Sequence, residues 1–170
     1  MTETKETILS ERDNGNSREG KYLSFSLGRE EYGIGILKVR EIIGMIQITP
    51  IPQSPEHVKG VINLRGKIIP VIDLRLRFGL DSIEYTDRTC IVVVEIDSNA
   101  RGLHIGIVVD SVSEVLNIKG ADIEDTPCFG VTFGTEYILG MAKMTGSVRI
   151  LLDIDKVLDT DELATLDQVA

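Results

Sequence analysis

Two histidines, two cysteines and a lone arginine–asparagine pair inside an aliphatic run are the side chains of this 170-residue sequence that first invite a chemical reading. A metal centre needs ligands at characteristic spacing, and a nucleophile needs a base within hydrogen-bond reach. His57 and His104 lie in no ligand or nucleophile motif. Cys90 and Cys128 lie in no C-x-x-C pair and read as reduced thiols of a cytosolic protein. The sequence has no G-x-S-x-G, no phosphate-binding loop and no zinc pattern. Gly33 and Gly35 lack the strand-then-helix setting of a dinucleotide fingerprint. Both histidines are therefore expected to be structural or solvent-facing, with no enzymatic activity, no metal and no cofactor. The expected chemistry is recognition.

The recognition candidates centre on Gly60-Val61-Ile62-Asn63-Leu64-Arg65-Gly66-Lys67-Ile68-Ile69-Pro70-Val71-Ile72-Asp73-Leu74. This run reads as two apolar strands joined by a tight turn. On a strand, Asn63 and Arg65 stand two apart and share a face. A guanidinium offers a rigid fork of donors to a carboxylate or backbone carbonyl. Gly60 would let another backbone approach closely. Phe129, in the loop Pro127-Cys128-Phe129-Gly130, reads either as an exposed apolar anchor or as packing against the fold.

The elements that must position these residues are mostly strands. Tyr22–Leu27 and Tyr32–Ile36 form a predicted hairpin, while 37–43 fits either strand or helix. Ser54 and Pro55 suggest the cap and first residue of a short helix reaching Lys59. The Gly60 run gives a second hairpin. Strands are then expected over 89–96, 103–109, 112–118, 137–144 and 148–152. Ile91-Val92-Val93-Val94 is continuously apolar, which predicts a strand covered on both faces. Asp159 and Glu162 have capping-box spacing, so 159–170 is expected to be helical. Many short strands between glycine-containing turns indicate an all-β barrel or sandwich class with short helices.

The run also recurs. Shifted by 80 residues, Gly60, Gly66 and Asp73 fall on Gly140, Gly146 and Asp153. Upstream, Tyr32-Gly33-Ile34-Gly35-Ile36 matches Leu103-His104-Ile105-Gly106-Ile107, and after a two-residue insertion Glu41 falls on Glu114. Asn63 and Arg65 become Lys143 and Thr145, so the repeat does not require them. Two related β-subdomains should pack together, and the groove between them is a natural ligand site.

Composition narrows the partners. With 18 Lys and Arg against 27 Asp and Glu, the net charge is −9. No basic cluster offers the phosphate-neutralising face that nucleic acid or an anionic membrane requires. No apolar stretch reaches the roughly 18 residues that span a bilayer. A soluble cytoplasmic chain is expected, with no direct membrane insertion.

Phe25-x-Leu27-Gly28-x-x-x-Tyr32-Gly33-Ile34, Val39-x-Glu41-Ile42, Gly60-Val61-x-Asn63-Leu64-Arg65-Gly66 and Pro70-Val71-Ile72-Asp73-Leu74 together resemble the bacterial chemotaxis coupling family, CheW. Val109-Asp110-x-Val112-x-x-Val115-Leu116 and Leu151-Leu152-Asp153-Ile154 continue the resemblance over about residues 21–158. It implies two intertwined, packed SH3-like five-stranded β-barrels and no catalysis. It divides the chain into an N-terminal tail over 1–20, a domain over 21–158 and a C-terminal helix over 159–170. The subdomains would be about 21–85 and 86–158, with exchange of terminal strands left open. The implied function is a non-catalytic adaptor that couples transmembrane chemoreceptors to the regulatory domain of the histidine kinase CheA, recruited from the cytoplasm to receptor arrays. Receptor contacts carried over from the family motif are Val39, Glu41, Gly60 and Arg65, with Asn63 added on the same-face argument. Phe129 matches an aromatic kinase-contact position, although the residue before it, often acidic in the family, is Cys128. The chain is too short to hold the catalytic domains of CheA as well. The family's receiver-bearing CheV form is set aside because the sequence ends in a short predicted helix.

Two other functional classes remain open on the residues alone. A small β-barrel enzyme would need a polar cluster with perturbed pKa values in the groove. A free-standing sensory domain would bind a small molecule there.

Overall fold

A computed structural model describes residues 18–98, 101–125 and 137–158. The elements, in chain order, are β1 (Gly20–Leu27), β2 (Glu30–Gly35), a 3-10 turn (Ile36–Lys38), β3 (Val39–Gly44), β4 (Val58–Leu64), β5 (Lys67–Asp73), α1 (Leu74–Arg77), β6 (Cys90–Ser98), β7 (Arg101–Val109), β8 (Ser111–Ile118), a second 3-10 turn (Gly120–Asp122), β9 (Ile123–Glu124), β10 (Ile138–Met144), β11 (Ser147–Leu152) and α2 (Ile154–Val157). The fold is mostly β with short helices, in two sheets. One has the strand order β8-β1-β2-β11-β10-β9, the other β3-β6-β7-β5-β4.

The strand orders show that the halves of the chain are interleaved. β1 and β2 complete the sheet built from β8 to β11, while β6 and β7 complete the sheet built from β3 to β5. The expected cut near residue 85 therefore does not separate the sheets. The chain changes sheet at Ile36–Lys38 and again at Asp110, between β7 and β8.

Each exchanged hairpin enters its sheet through a parallel pairing: β7 beside β5, with Val71 opposite Gly106, and β2 beside β11, with Leu151 opposite Gly33. Val71 and Leu151 are 80 apart, so Gly33, rather than Gly35, is the counterpart of Gly106. The reason is steric. A Cβ at Gly106 would stand 2.7 Å from Ile91 Cγ2, and one at Gly33 would stand 2.9 Å from Leu151 Cδ2. A Cβ at Gly35 would meet nothing within 4 Å. The offset of 73 residues (106 − 33) also carries Glu41 onto Glu114 (114 − 41), so no insertion is needed.

The 80-residue shift holds in atomic detail. Asp73 N–H donates to His57 O and Asp153 N–H to Tyr137 O, both at 2.8 Å. Register slips by one residue just before Gly60 and just before Gly140. Each aspartate then starts a one-turn helix. Asp73 caps α1 by accepting from the backbone N–H of Arg75 and Leu76, whereas Asp153 makes no side-chain cap.

Three cores follow from strand alternation. Val92, Val94, Ile96, Ile105 and Ile107 face Leu23, Phe25, Leu27, Ile34 and Leu152 between the sheets. Ile91, Val93, Ile69, Val71 and Val108 fill the inside of one barrel. Tyr22, Ile118, Ile123, Ala142 and Leu151 fill the other. The run 91–94 is thus buried on both faces, as its unbroken apolar character indicates.

A shared core and exchanged strands leave neither barrel a complete set of partners alone. Urea unfolding followed by circular dichroism and by tyrosine fluorescence is expected to show one coincident transition. Ile107→Val, which removes one methylene from the shared core, should lower stability by about 1 kcal/mol with an unchanged slope.

One ambiguity is resolved and one expectation fails locally. Residues 37–43 resolve into the 3-10 turn and β3. Residues 54–59 form turns that enter β4, because Val58 is taken into register with Ile72. Ser54 Oγ donates to Ile51 O at 2.8 Å instead of capping a helix. Within the expected tail, Arg18 pairs with Asp125 at 2.8 Å and Gly20 begins β1. The expected helix over 159–170 lies outside the described residues.

Candidate functional site

The sheet β3-β6-β7-β5-β4 has two edges, β3 and β4, and curling it into a barrel brings them together. The chain closes this seam at two points. After β3, Thr49 pairs with Val61 of β4, donating to its carbonyl at 2.8 Å and accepting from its N–H at 2.9 Å. At the end of β4, Arg65 reaches Glu41 on β3. Arg65 Nη1 donates to Glu41 Oε2 at 2.9 Å, and Nη2 donates to Oε1, so the fork is bidentate.

Gly60 makes the first closure possible. Its φ is +141°, and a Cβ there would lie 2.0 Å from Thr49 O. The backbone that approaches Gly60 is therefore the chain's own. Gly60 is buried, so it cannot touch a partner directly, and its place in a site is to support it from beneath.

Arg65 is not on a strand. It and Gly66 form the two-residue turn between β4 and β5, with φ of 53° and 86°. Two positive φ values match the primed turn whose twist suits a hairpin, but such turns prefer Asn, Asp or Gly. In the second copy Gly146 has a φ of +76° while Thr145 has no positive φ, so the repeat does not impose a left-handed residue at this position. A bulky residue held there is a strained feature that tends to accompany function. Asn63 and Arg65 consequently do not share a strand face. Asn63 Oδ1 accepts from Gly66 N–H at 2.8 Å and so braces the turn that carries Arg65.

The five expected contact residues divide accordingly. Glu41 and Arg65 meet. Asn63 is exposed beside them on β4. Val39, on β3, is partly buried and packs against the core between the sheets. Gly60 is underneath. Phe129 lies outside the described residues.

The Arg65 side chain is 70% exposed and that of Glu41 30%, so the pair contributes little to stability and is open to a partner. Hydrogen bonding from Arg65 holds the Glu41 carboxyl below the ordinary glutamate range, and the same bond raises Arg65. A lowered folded pKa means the pair's contribution is present above the ordinary glutamate value and is lost as pH falls through the lowered one. In Arg65→Gln, a carbon-detected NMR titration should place the Glu41 midpoint higher than in the unaltered protein; an unmoved midpoint would exclude the pairing.

Sequence reasoning missed the apolar surroundings. Ile42, Ile46 and Ile68 are 43%, 40% and 56% exposed, and Ile68 lies opposite Asn63 across the hairpin. The repeat held a signal, since Ile42 and Ile68 align with Val115 and Val148, which are also exposed.

Both histidines take part in hydrogen bonds. His104 sits in a ladder across four strands: Arg40 pairs with Glu95, Glu95 contacts His104 Nε2 at 3.2 Å, and His104 Nδ1 meets Lys67 Nζ at 2.9 Å. Lysine only donates, so Nδ1 accepts and Nε2–H donates to Glu95. Glu95 is held below its ordinary value, chiefly by hydrogen bonding to Arg40. His57 belongs to the turn before β4, its carbonyl accepting from Asp73. Cys90 is a free thiol donating to Arg88 O. Between the sheets, the groove beside α1 is lined by aliphatic and aromatic side chains, with Arg77 as the charged residue among the described ones.

Comparison with known proteins gives the family. A family model described as a CheW-like domain matches residues 21–162. Chemotaxis protein CheW of Klebsiella aerogenes is 44% identical over 150 residues, covering 88% of each chain. Chemotaxis protein CheW of Treponema pallidum is 36% identical over 157 residues, covering 89% of each. The crystal structure of the scaffolding protein TtCheW from Thermoanaerobacter tengcongensis superposes with a TM-score of 0.74 at 37% identity, covering 85% of this chain and 90% of that one. The chain belongs to the CheW-like family of non-catalytic scaffolding adaptors.

Proposed function

We propose that this adaptor couples chemoreceptors to the histidine kinase CheA through the surface around Arg65. The observation that carries the reading is the bidentate Glu41–Arg65 pair at the barrel seam, held on a left-handed turn that the repeat does not call for. The receptor's cytoplasmic tip would lie against Glu41, Arg65 and Asn63, with Ile42, Ile46 and Ile68 supplying apolar contact area and Val39 the inner wall. Gly60 fixes the seam beneath them. A charged anchor with apolar contact area beside it, as Ile68 supplies opposite Asn63, is the usual make-up of an energetic hot spot.

The kinase's regulatory domain would engage Phe129, as the family resemblance implies. Among the described residues no helix is long and apolar enough to cross a membrane. Its kinship with chemotaxis CheW proteins supports a place in the cytoplasm, with recruitment to receptor arrays by its partners. Mixing the chain with a receptor cytoplasmic fragment and CheA, then separating by size, tests the proposal. A ternary complex that forms only when this chain is present is expected; a kinase and receptor that elute apart regardless would refute it.

A further inference from the structure

A cavity of about 550 Å³ opens between the two sheets beside α1. Tyr32, Phe78, Ile138 and Ile150 form its apolar walls, with Arg77 and Tyr137 at one side. Phe78 and Tyr32 stand 5.8 Å apart between ring centroids, making an aromatic corner. The volume is in the range of small-molecule sites, which combine apolar walls with a few convergent polar groups.

The repeat shows how this fold fills the matching place. Shifted by 80 residues, Arg77 and Phe78 become Val157 and Leu158, which are fully buried. Arg77 and Phe78 are only partly buried. One half of the molecule thus closes this position with aliphatic side chains, and the other leaves it open with an arginine at its side.

Arg77 is held in place by several contacts. Its Nε donates to Val157 O at 3.0 Å, its Nη2 donates to Tyr137 Oη at 3.1 Å, and its guanidinium lies 5.1 Å from the Tyr137 ring centroid. Among the described residues no carboxylate pairs with it. Among them Nη1 has no hydrogen-bond partner, and Tyr137 Oη, acting as acceptor toward Arg77, keeps its own proton to donate. A fixed guanidinium with one free N–H arm and a hydroxyl donor beside an aromatic corner suit one chemical class.

We propose that this cavity binds a small aromatic monocarboxylate, with its carboxylate on Arg77 and Tyr137 and its ring against Tyr32 and Phe78. The site is separate from the Glu41–Arg65 seam and does not depend on the receptor reading.

The test is an NMR titration of the isotope-labelled full chain with naphthaleneacetate and, separately, with naphthaleneacetamide, which has the same shape and no charge. Saturable shifts confined to residues 32, 77–80, 137–138 and 150–152 are expected, with the acid binding about tenfold more tightly than the amide. Arg77→Met should erase that preference. Tyr137→Phe, which keeps the ring, should weaken the acid severalfold and leave the amide unchanged, so the question stays decidable if Arg77→Met does not fold. Absence of saturable shifts, equal affinity for acid and amide, or shifts centred elsewhere would overturn the site.

Discussion

Gly60→Ala should destabilise the protein by about 3–5 kcal/mol, the largest loss expected from any single added methyl group here. The new Cβ would lie 2.0 Å from Thr49 O, 2.6 Å from Thr49 C and 2.9 Å from Pro50 Cα. All three are backbone atoms of the segment that closes the barrel, so no side-chain rotation can relieve the clash. The φ of +141° adds a second penalty for any residue with a Cβ. The repeat supplies the control. Gly140 has no positive φ, and a Cβ there would meet Ile123 Cγ2 at 2.7 Å and Arg18 Nη1 at 2.9 Å, both side-chain atoms, as well as Glu124 O at 3.0 Å. Gly140→Ala should therefore cost clearly less than Gly60→Ala. Urea unfolding of both variants checks the ranking. A Gly60→Ala protein as stable as the unaltered one would mean that Thr49 does not pack on Gly60.

Arg65→Asn carries the largest functional effect and should separate stability from function. Asparagine tolerates the left-handed conformation better than arginine and is a favoured residue in this turn. The variant should melt at the same temperature or higher. It loses the guanidinium fork, so its affinity for a receptor cytoplasmic fragment should fall about 10- to 100-fold. A turn that sacrifices local comfort to aim a charged group is the kind of compromise found at binding sites. If instead Arg65→Asn lowers the melting temperature and binds receptor normally, the arginine serves the seam alone.

Much of this molecule is legible in its sequence because its signals are local. Ile91 to Val94 are all apolar, and the strand they form is buried on both faces. Gly66 and Gly146 mark two hairpin turns with positive φ, and the shift between them carries Asp73 onto Asp153, which keep equivalent backbone hydrogen bonds.

What was not legible depends on contacts between distant segments. The exchange of β1–β2 with β6–β7 leaves no local trace, since it is set by which distant strands the hairpins pair with. Gly33 and Gly35 look alike in a strand, and only the side chain of Leu151 distinguishes them. Ser54-Pro55 has helix-start chemistry, yet pairing of Val58 with Ile72 takes the following residues into a strand. At the site, spacing suggested a strand face shared by Asn63 and Arg65. The turn instead swings Arg65 across the seam to Glu41, 24 residues earlier in the chain. Glu41 and Arg65 were each singled out, but their meeting is a property of the closed barrel.

The most direct test of receptor–kinase coupling is the autophosphorylation rate of CheA with a receptor cytoplasmic fragment, measured without this chain, with it, and with its Arg65→Asn variant. The expected result is a kinase rate that responds to receptor only when the unaltered chain is present, with most of that response lost in the variant. A rate indifferent to the chain, or a variant that couples as well as the unaltered protein, would contradict it.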